Sequence, residues 1–158
     1  MIARALAQEG ANVAVHYLKS AESAAEIVKE VKKAGVDSFA LQADLSDLQQ
    51  VKVLAEKVWK KWGRCDVLVN NAGETAATQM SWRELSPEVV DGTLSLDVKG
   101  TLFCTHEFGK RMLDEQRSGS ICPREHPTGG VQQHDRTSQK ARERFGQRSD
   151  MRIVDDGA

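Results

Sequence analysis

Cysteine pairs, an excess of charge and long apolar runs are all lacking in this chain of 158 residues. No stretch approaches the roughly 18 apolar residues that a membrane span requires, and no basic-then-apolar signal peptide opens the sequence. The three cysteines, Cys65, Cys104 and Cys122, are scattered and odd in number, which fits no disulfide framework and favours a reducing cytoplasm. A net charge of −1 gives no electrostatic reason to expect nucleic acid or an anionic membrane as a partner.

The arrangement of the apolar residues predicts a single α/β domain. With 40% hydrophobic residues, the chain is long enough to bury one core. Apolar spacing predicts helices over 2–9, 21–34 and 47–62 and strands over 13–17, 38–42 and 67–70. Gly10, Gly35 and Gly63 follow the helices as stops, and Ser46 or Asp47 is the candidate cap of the third helix. This alternation favours a parallel, doubly wound sheet with right-handed crossovers.

The chain changes character after Ile121. Before it, Ser86-Pro87-Glu88 is typical of a helix start, a long helix is expected over 94–116, and 118–121 is the entry to another strand. Residues 122–158 are poor in apolar side chains and rich in arginine and glutamine, so they cannot bury enough surface to offset their ordering entropy. We expect a folded part over 1–121 and a disordered tail over 122–158, helical at most around 138–148.

The most informative stretch runs from Val67 to Gly73. Three aliphatic residues read as a buried parallel strand, and the strand ends abruptly in Asn70-Asn71-Ala72-Gly73. At the carboxyl edge of an open α/β sheet, amides can lock neighbouring loops, and a glycine without a Cβ lets a flat group approach. An ordinary strand and turn is the alternative, but it accounts less well for this rare run.

The Asn70–Gly73 run resembles the hallmark of the short-chain dehydrogenase/reductase family, near the 3-oxoacyl-carrier-protein reductase and glucose dehydrogenase type. Segments 9–15, 43–46 and 99–103 agree with the family in order and spacing, and the resemblance ends near Ile121. It implies an incomplete doubly wound, Rossmann-like sheet. It also implies NAD(P)(H)-dependent hydride transfer to or from a small-molecule carbonyl or alcohol substrate.

The resemblance also implies which residues contact the cofactor: Lys19, Ser20, Asp44, Leu45, Asn70, Ala72 and Gly73. Asp44 and Leu45 take the place of the family's adenine-contacting pair. Alone, Asp44 favours an ordinary turn that leads into a helix, but with Asn70–Gly73 in register we favour the site. Lys19 and Ser20 offer a cation and a hydroxyl where NAD-preferring folds place an acid. This difference favours NADP(H) over NAD(H).

Two parts of the family pattern are not matched. The family begins with a strand and a glycine-rich turn that holds pyrophosphate, and neither precedes the helix over 2–9. The absent strand is central in the family's sheet, so we expect strands 13–17 and 67–70 to lose hydrogen-bond partners, at about 1–3 kcal/mol for each unmade buried bond. A truncated start is the simplest account of the missing strand and turn. An altered reading frame near Ile121 is the simplest account of why the resemblance ends there.

The catalytic pattern differs as well. The family's Tyr and Lys, four residues apart, handle the proton, and the spacing from Asn70 puts them at Arg136 and Lys140. A guanidinium cannot act as an acid or base at neutral pH, and the only tyrosine is Tyr17, in the strand over 13–17. The family's helix-borne Asn falls at Asp97. We therefore expect no intact catalytic set, with Lys140 as a possible remnant.

Two other features have both a functional and a plain interpretation. The helix over 94–116 corresponds to a subunit interface in the family, which predicts a homo-oligomer or association with full-length relatives; packing against the chain's own sheet is the alternative. Cys122, His126 and His134 could ligate a metal, but their spacing fits no familiar zinc signature, so we expect no metal. The leading function is an oxidoreductase of this family, inactive as this chain. A non-catalytic fragment and a nonfunctional gene remnant are the alternatives.

Overall fold

The computed structural model describes residues 2–73, 81, 83 and 85–122, together with the backbone of 152–155. The strands are β1 (Val13–Tyr17), β2 (Ser38–Gln42), β3 (Val67–Val69), β4 (Ser120–Cys122) and β5 (Arg152–Asp155). The helices are α1 (Ile2–Gln8), α2 (Ala21–Lys33), α3 (Leu48–Trp62), α4 (Pro87–Thr93) and α5 (Thr101–Asp114). A π-helical segment (Leu94–Gly100) leads directly from α4 into α5.

All five strands form one parallel sheet in the order β2–β1–β5–β3–β4. Alternate residues of β1 and β3 are buried on opposite faces, which is why both strands read as continuous apolar runs. Ala14 and Leu68 pack with α3 and α5, whereas Val13, Val15 and Val67 pack with α1 and α2. The predicted doubly wound parallel sheet is confirmed.

The fifth strand corrects the expectation that β1 and β3 would lack partners. Val13–His16 pair in register with Arg152–Asp155. Val67–Val69 pair with Arg152–Val154, so β5 lies between the two strands. The composition of residues 122–158 predicts no strand here, whereas the backbone of Arg152–Asp155 forms the central strand of the sheet. The facing edges of β1 and β3 are therefore both paired with β5.

The ends of α3 agree with the sequence prediction. Asp47 is the residue that caps it, and its carboxylate accepts hydrogen bonds from the backbone N–H groups of Gln49 and Gln50. Gly63 ends the helix with a positive φ of 71°, and its N–H donates to the carbonyl of Trp59. A side chain at this position would be strained, so the glycine fixes where the chain turns toward β3.

The long helix expected over 94–116 is not uniform. Its first seven residues, Leu94–Gly100, are π-helical, and the regular α-helix covers only Thr101–Asp114. Sequence periodicity does not separate the two forms over so short a length, because both place apolar residues on one stripe. Among the described residues, no helix is long and apolar enough to cross a membrane. The tail predictions over 123–151, including His126, His134 and the helix around 138–148, fall outside the described residues.

The lowered pKa of Asp37 predicts that the free energy of unfolding depends on pH. Burial pulls the pKa of its carboxyl upward, but hydrogen bonds from Lys61 and Trp62, both 3.0 Å long, bring it below its ordinary value of 3.8. A group with a lowered folded pKa stabilises the fold above its unfolded pKa, and this stabilisation is lost as the pH falls through the folded pKa. The native chain should therefore melt at a higher temperature than Asp37→Asn at neutral pH, and this difference in melting temperature should become smaller below about pH 4.

Thermal melts between pH 7 and pH 3 test this expectation. Asp91→Asn, which removes one charge from the exposed surface of α4, is the matched control and should show less narrowing. An advantage over Asp37→Asn that stays constant across this range would contradict the prediction.

Candidate functional site

Three strand ends lie at one edge of the sheet because the strands are parallel. β1, β2 and β3 end at Tyr17, Gln42 and Val69, and the described residues that follow each strand begin at this edge. Gln42 reaches back across the edge and donates from Nε2 to the carbonyl of Leu18 at 3.0 Å. The carboxyl edge of an open parallel sheet is the general position of ligand sites in such folds.

His16 ties the loop after β2 to β1. It is 6% exposed, and its Nε2 lies 2.8 Å from the carbonyl oxygen of Ala43. A histidine nitrogen at this distance from a carbonyl donates its proton, which fixes the orientation of the ring at the end of β1. The sequence predicts His16 only as part of a strand. Its one available signal was a polar residue inside an otherwise buried run.

Asp44 organises the turn that follows. Its Oδ1 accepts hydrogen bonds from the backbone N–H of Ser46 at 2.9 Å and from the Ser46 hydroxyl at 2.6 Å. The N–H of Asp44 donates to Gln50, whose own side chain donates to Asp47. The Gln50 side chain and the Gln49 amide lower the pKa of Asp47. Asp44 therefore stabilises a turn, as one interpretation of the sequence predicted. The turn lies at the sheet edge where a contact of Asp44 with the cofactor was also predicted.

Asn70 joins β3 to its neighbours on the other side of the site. Its backbone N–H donates to the carbonyl of Cys122 at 2.9 Å, which extends the pairing of β3 with β4. Its side-chain Nδ2 donates to the hydroxyl of Thr105 on α5 at 3.2 Å. The side chain is 7% exposed, so the amide that was expected to lock neighbouring loops does connect the strand end to a helix.

The residues from both halves of the sheet enclose a cleft of about 380 Å³, counting the space that is open to solvent. The lining residues are His16, Leu45, Leu54, Leu68, Val69, Asn70, Asn71, Ala72, Leu96, Thr101 and Cys104. Apolar walls with a few amides and one imidazole are typical of a small-molecule site.

The cleft brings together some of the predicted site residues and not others. Leu45, Asn70 and Ala72 line it, while Lys19 is exposed at the same sheet edge. Ser20 is the N-cap residue of α2, and its side chain makes no capping hydrogen bond to that helix. Gly73 follows the lining residues along the chain. The cofactor-contacting role of all seven predicted residues stays a prediction.

The π-helical segment supplies the wall that sequence reasoning missed. Leu96, Thr101 and Cys104 line the cleft from this segment and the start of α5. The π-helical segment lies closest to Leu45 at Gly100, where an added Cβ would be 3.2 Å from the carbonyl oxygen of Leu45. Asp97, which the resemblance predicts at the family's Asn position, is half-buried in the same segment. Lys140, the possible remnant of the catalytic pair, lies outside the described residues.

Comparisons with known proteins give a consistent result. A family model described as short chain dehydrogenase matches residues 1–123. A 3-oxoacyl-[acyl-carrier-protein] reductase, FabG, of Staphylococcus aureus strain Mu50 is 42% identical over 120 residues, which is 76% of this chain and 48% of the relative. The chain therefore spans about half the length of the curated relatives that it matches.

Solved structures share the fold. A short chain dehydrogenase from Burkholderia cenocepacia J2315, in complex with NADP, has a TM-score of 0.63 and 33% identity; the match covers 69% of this chain and 44% of that one. Acetoin dehydrogenase YohF from Salmonella typhimurium has a TM-score of 0.66 and 27% identity, with 75% and 46% covered. These relatives act on different substrates, so their names do not select one for this chain.

Proposed function

The chain belongs to the short-chain dehydrogenase family, and from this premise we propose that its cleft is the adenosine half of a site for a nicotinamide dinucleotide. The observation that carries the proposal is the meeting of His16, Leu45 and Asn70 around one cleft at the carboxyl ends of the strands. We propose that a full-length protein containing this sequence is an NAD(P)(H)-dependent oxidoreductase that acts on a small carbonyl or alcohol. When bound, the dinucleotide would supply or accept the hydride.

The residues of the cleft suit an adenine ring. Leu45 and Ala72 provide apolar surface, and the backbone and amides of Asn70 and Asn71 provide polar groups at its rim. This combination of apolar surface and amides supports binding of the adenosine half.

Lys19 and Ser20 favour NADP(H) over NAD(H). Both follow the carboxyl end of β1, Lys19 is exposed, and the Ser20 hydroxyl does not cap α2. An ammonium and a hydroxyl can both donate hydrogen bonds to a ribose 2′-phosphate, whereas NAD-preferring sites place an acid at this point. Charge-assisted hydrogen bonds of this kind contribute about 1.5–3 kcal/mol.

Calorimetric titration with adenosine 2′,5′-bisphosphate and NADP⁺ tests the proposal. If the chain holds only the adenosine half of the site, the dissociation constants of the two ligands should lie within about threefold of each other. The reason is that the nicotinamide half of NADP⁺ would then add little to its affinity. Lys19→Ala should weaken both by roughly tenfold or more, as loss of one charge-assisted bond requires. Lys29→Ala, an exposed lysine of α2, is the matched control.

Two results would contradict different parts of the proposal. Absence of binding by either ligand at millimolar concentration would reject the cleft as an adenosine site. Equal weakening by Lys19→Ala and Lys29→Ala would reject the 2′-phosphate assignment while leaving the adenosine site in place.

A second candidate function is association through the helical segment over 94–116. Leu94, Val98 and Leu102 recur every four residues and are 49%, 48% and 61% exposed, which leaves an apolar stripe on the described surface. We propose that this stripe binds a second copy or a full-length relative. Size-exclusion chromatography with Leu102→Lys against the native chain tests it, and identical elution volumes across protein concentrations would reject it.

A further inference from the structure

The short strand β5 joins, by backbone pairing, two halves of the sheet that share the same core clusters. β1 and β2 carry His16 and the loop with Leu45, while β3 and β4 carry Asn70. Among the described strands, β1 and β3 are joined only through β5, which pairs with both. Within the sheet, the backbone of Arg152–Asp155 therefore links the strands that carry the two walls of the cleft.

The place that β5 occupies has the properties of a binding site for an extended strand. Its two sides are the backbone edges of β1 and β3, whose donors and acceptors are spaced for a parallel partner. The central positions of β5, Ile153 and Val154, are level with Ala14 and Val15 on one side. These neighbours are 1% exposed, so the surroundings favour apolar residues at those positions.

The connection to this site is indirect. Residues 123–151 separate the end of β4 from the start of β5, so β5 is tethered over a long sequence distance. A tether raises the local concentration of a strand to roughly the millimolar order, and longer connections lower this figure only slowly. A strand held mainly by its tether should exchange with the same strand supplied at a similar concentration.

We propose that the gap between β1 and β3 is a binding site for a parallel polypeptide strand, filled by Arg152–Asp155 of the same chain and able to accept this strand from a second molecule. Recognition would come from backbone hydrogen bonds on both sides, as in other cases of strand addition. The inference is independent of dinucleotide binding, because it depends only on the pairing of the strands.

The test uses the full chain with Val154→Pro, which removes a backbone N–H from a central strand and should release β5. Ala158→Pro, beyond the end of β5, is the matched proline control. The probe is a fluorescently labelled peptide of residues 149–158, measured by fluorescence anisotropy, with the same peptide carrying Val154→Pro as the non-binding control. The Val154→Pro chain should bind the native peptide at least tenfold more tightly than the native chain or the Ala158→Pro chain.

Hydrogen exchange gives a second measurement. In the Val154→Pro chain, amides of Val13–Tyr17 and Val67–Val69 should lose protection, and the native peptide should restore it. If that variant does not fold alone, refolding it from urea with the peptide at about 1 mM should recover a cooperative melt, whereas the proline peptide should not. The proposal is overturned if the native peptide neither binds nor rescues the variant, or if β1 and β3 keep native protection without β5.

Discussion

Replacing Phe108 by alanine should lower the free energy of unfolding by about 3–5 kcal/mol. The Phe108 side chain is fully buried, at 0% exposure, in the cluster between the sheet and the helices α3 and α5. Its ring lies 5.6 Å from that of Trp59, centroid to centroid, so the change removes an aromatic contact as well as apolar area. Natural domains have a margin of only about 5–15 kcal/mol, and this one substitution should remove a large part of it.

Leu113→Ala on the same helix is the matched control. Leu113 is 77% exposed, so its loss should change the free energy of unfolding by no more than about 0.5 kcal/mol. Urea unfolding followed by circular dichroism measures both variants. Similar losses for the two would mean that α5 does not pack on the sheet through Phe108, and the assignment of this core would then fail.

The first half of the fold could be predicted because its signals are local. Gly63 has the positive φ that was expected of a helix stop, and Asp47 supplies the side-chain oxygen that a cap requires. Val67–Val69 form a strand buried on both faces, as three consecutive aliphatic residues indicate. In each case a few neighbouring residues decide the structure, so no tertiary information is needed.

β5 could not be predicted because its position is a tertiary property. Arg152–Asp155 contain two adjacent apolar residues, too few to show a period, in a segment whose composition argued against a strand. What places these residues at the centre of the sheet is the pair of open edges on β1 and β3. Those edges lie more than 80 residues away along the chain, and single-sequence reasoning cannot connect them.

The candidate site shows the same division. Asn70, Leu45 and Ala72 follow strands directly, so the parallel topology alone brings them to one edge. His16 and the wall formed by Leu96 depend on how the loop after β2 and the π-helical segment pack. The close approach at Gly100, which permits that packing, became evident only when the position of Leu45 was known.

The last prediction concerns turnover. With NADPH and a simple ketone, this chain should be slower than a family member that has its tyrosine by at least about 10²–10⁴-fold, the usual contribution of a positioned general acid, and should not exceed the uncatalysed background. The sequence has a single tyrosine, Tyr17, at the end of β1, and Arg136 stands at the spacing predicted for the acid. An arginine keeps its proton at neutral pH and cannot donate it to the developing alkoxide.

Spectrophotometric loss of NADPH absorbance, with the purified chain in excess, measures this rate against a no-enzyme background. Lys140→Ala removes the other residue of the predicted pair, and Lys110→Ala removes an exposed lysine of α5 as the matched control. Because the tyrosine that such a lysine would assist is absent, both variants should match the native chain at background. Turnover that Lys140→Ala abolishes and Lys110→Ala retains would mean that the chain completes a working proton-transfer site through the residues after Cys122, and the proposed inactivity would be wrong.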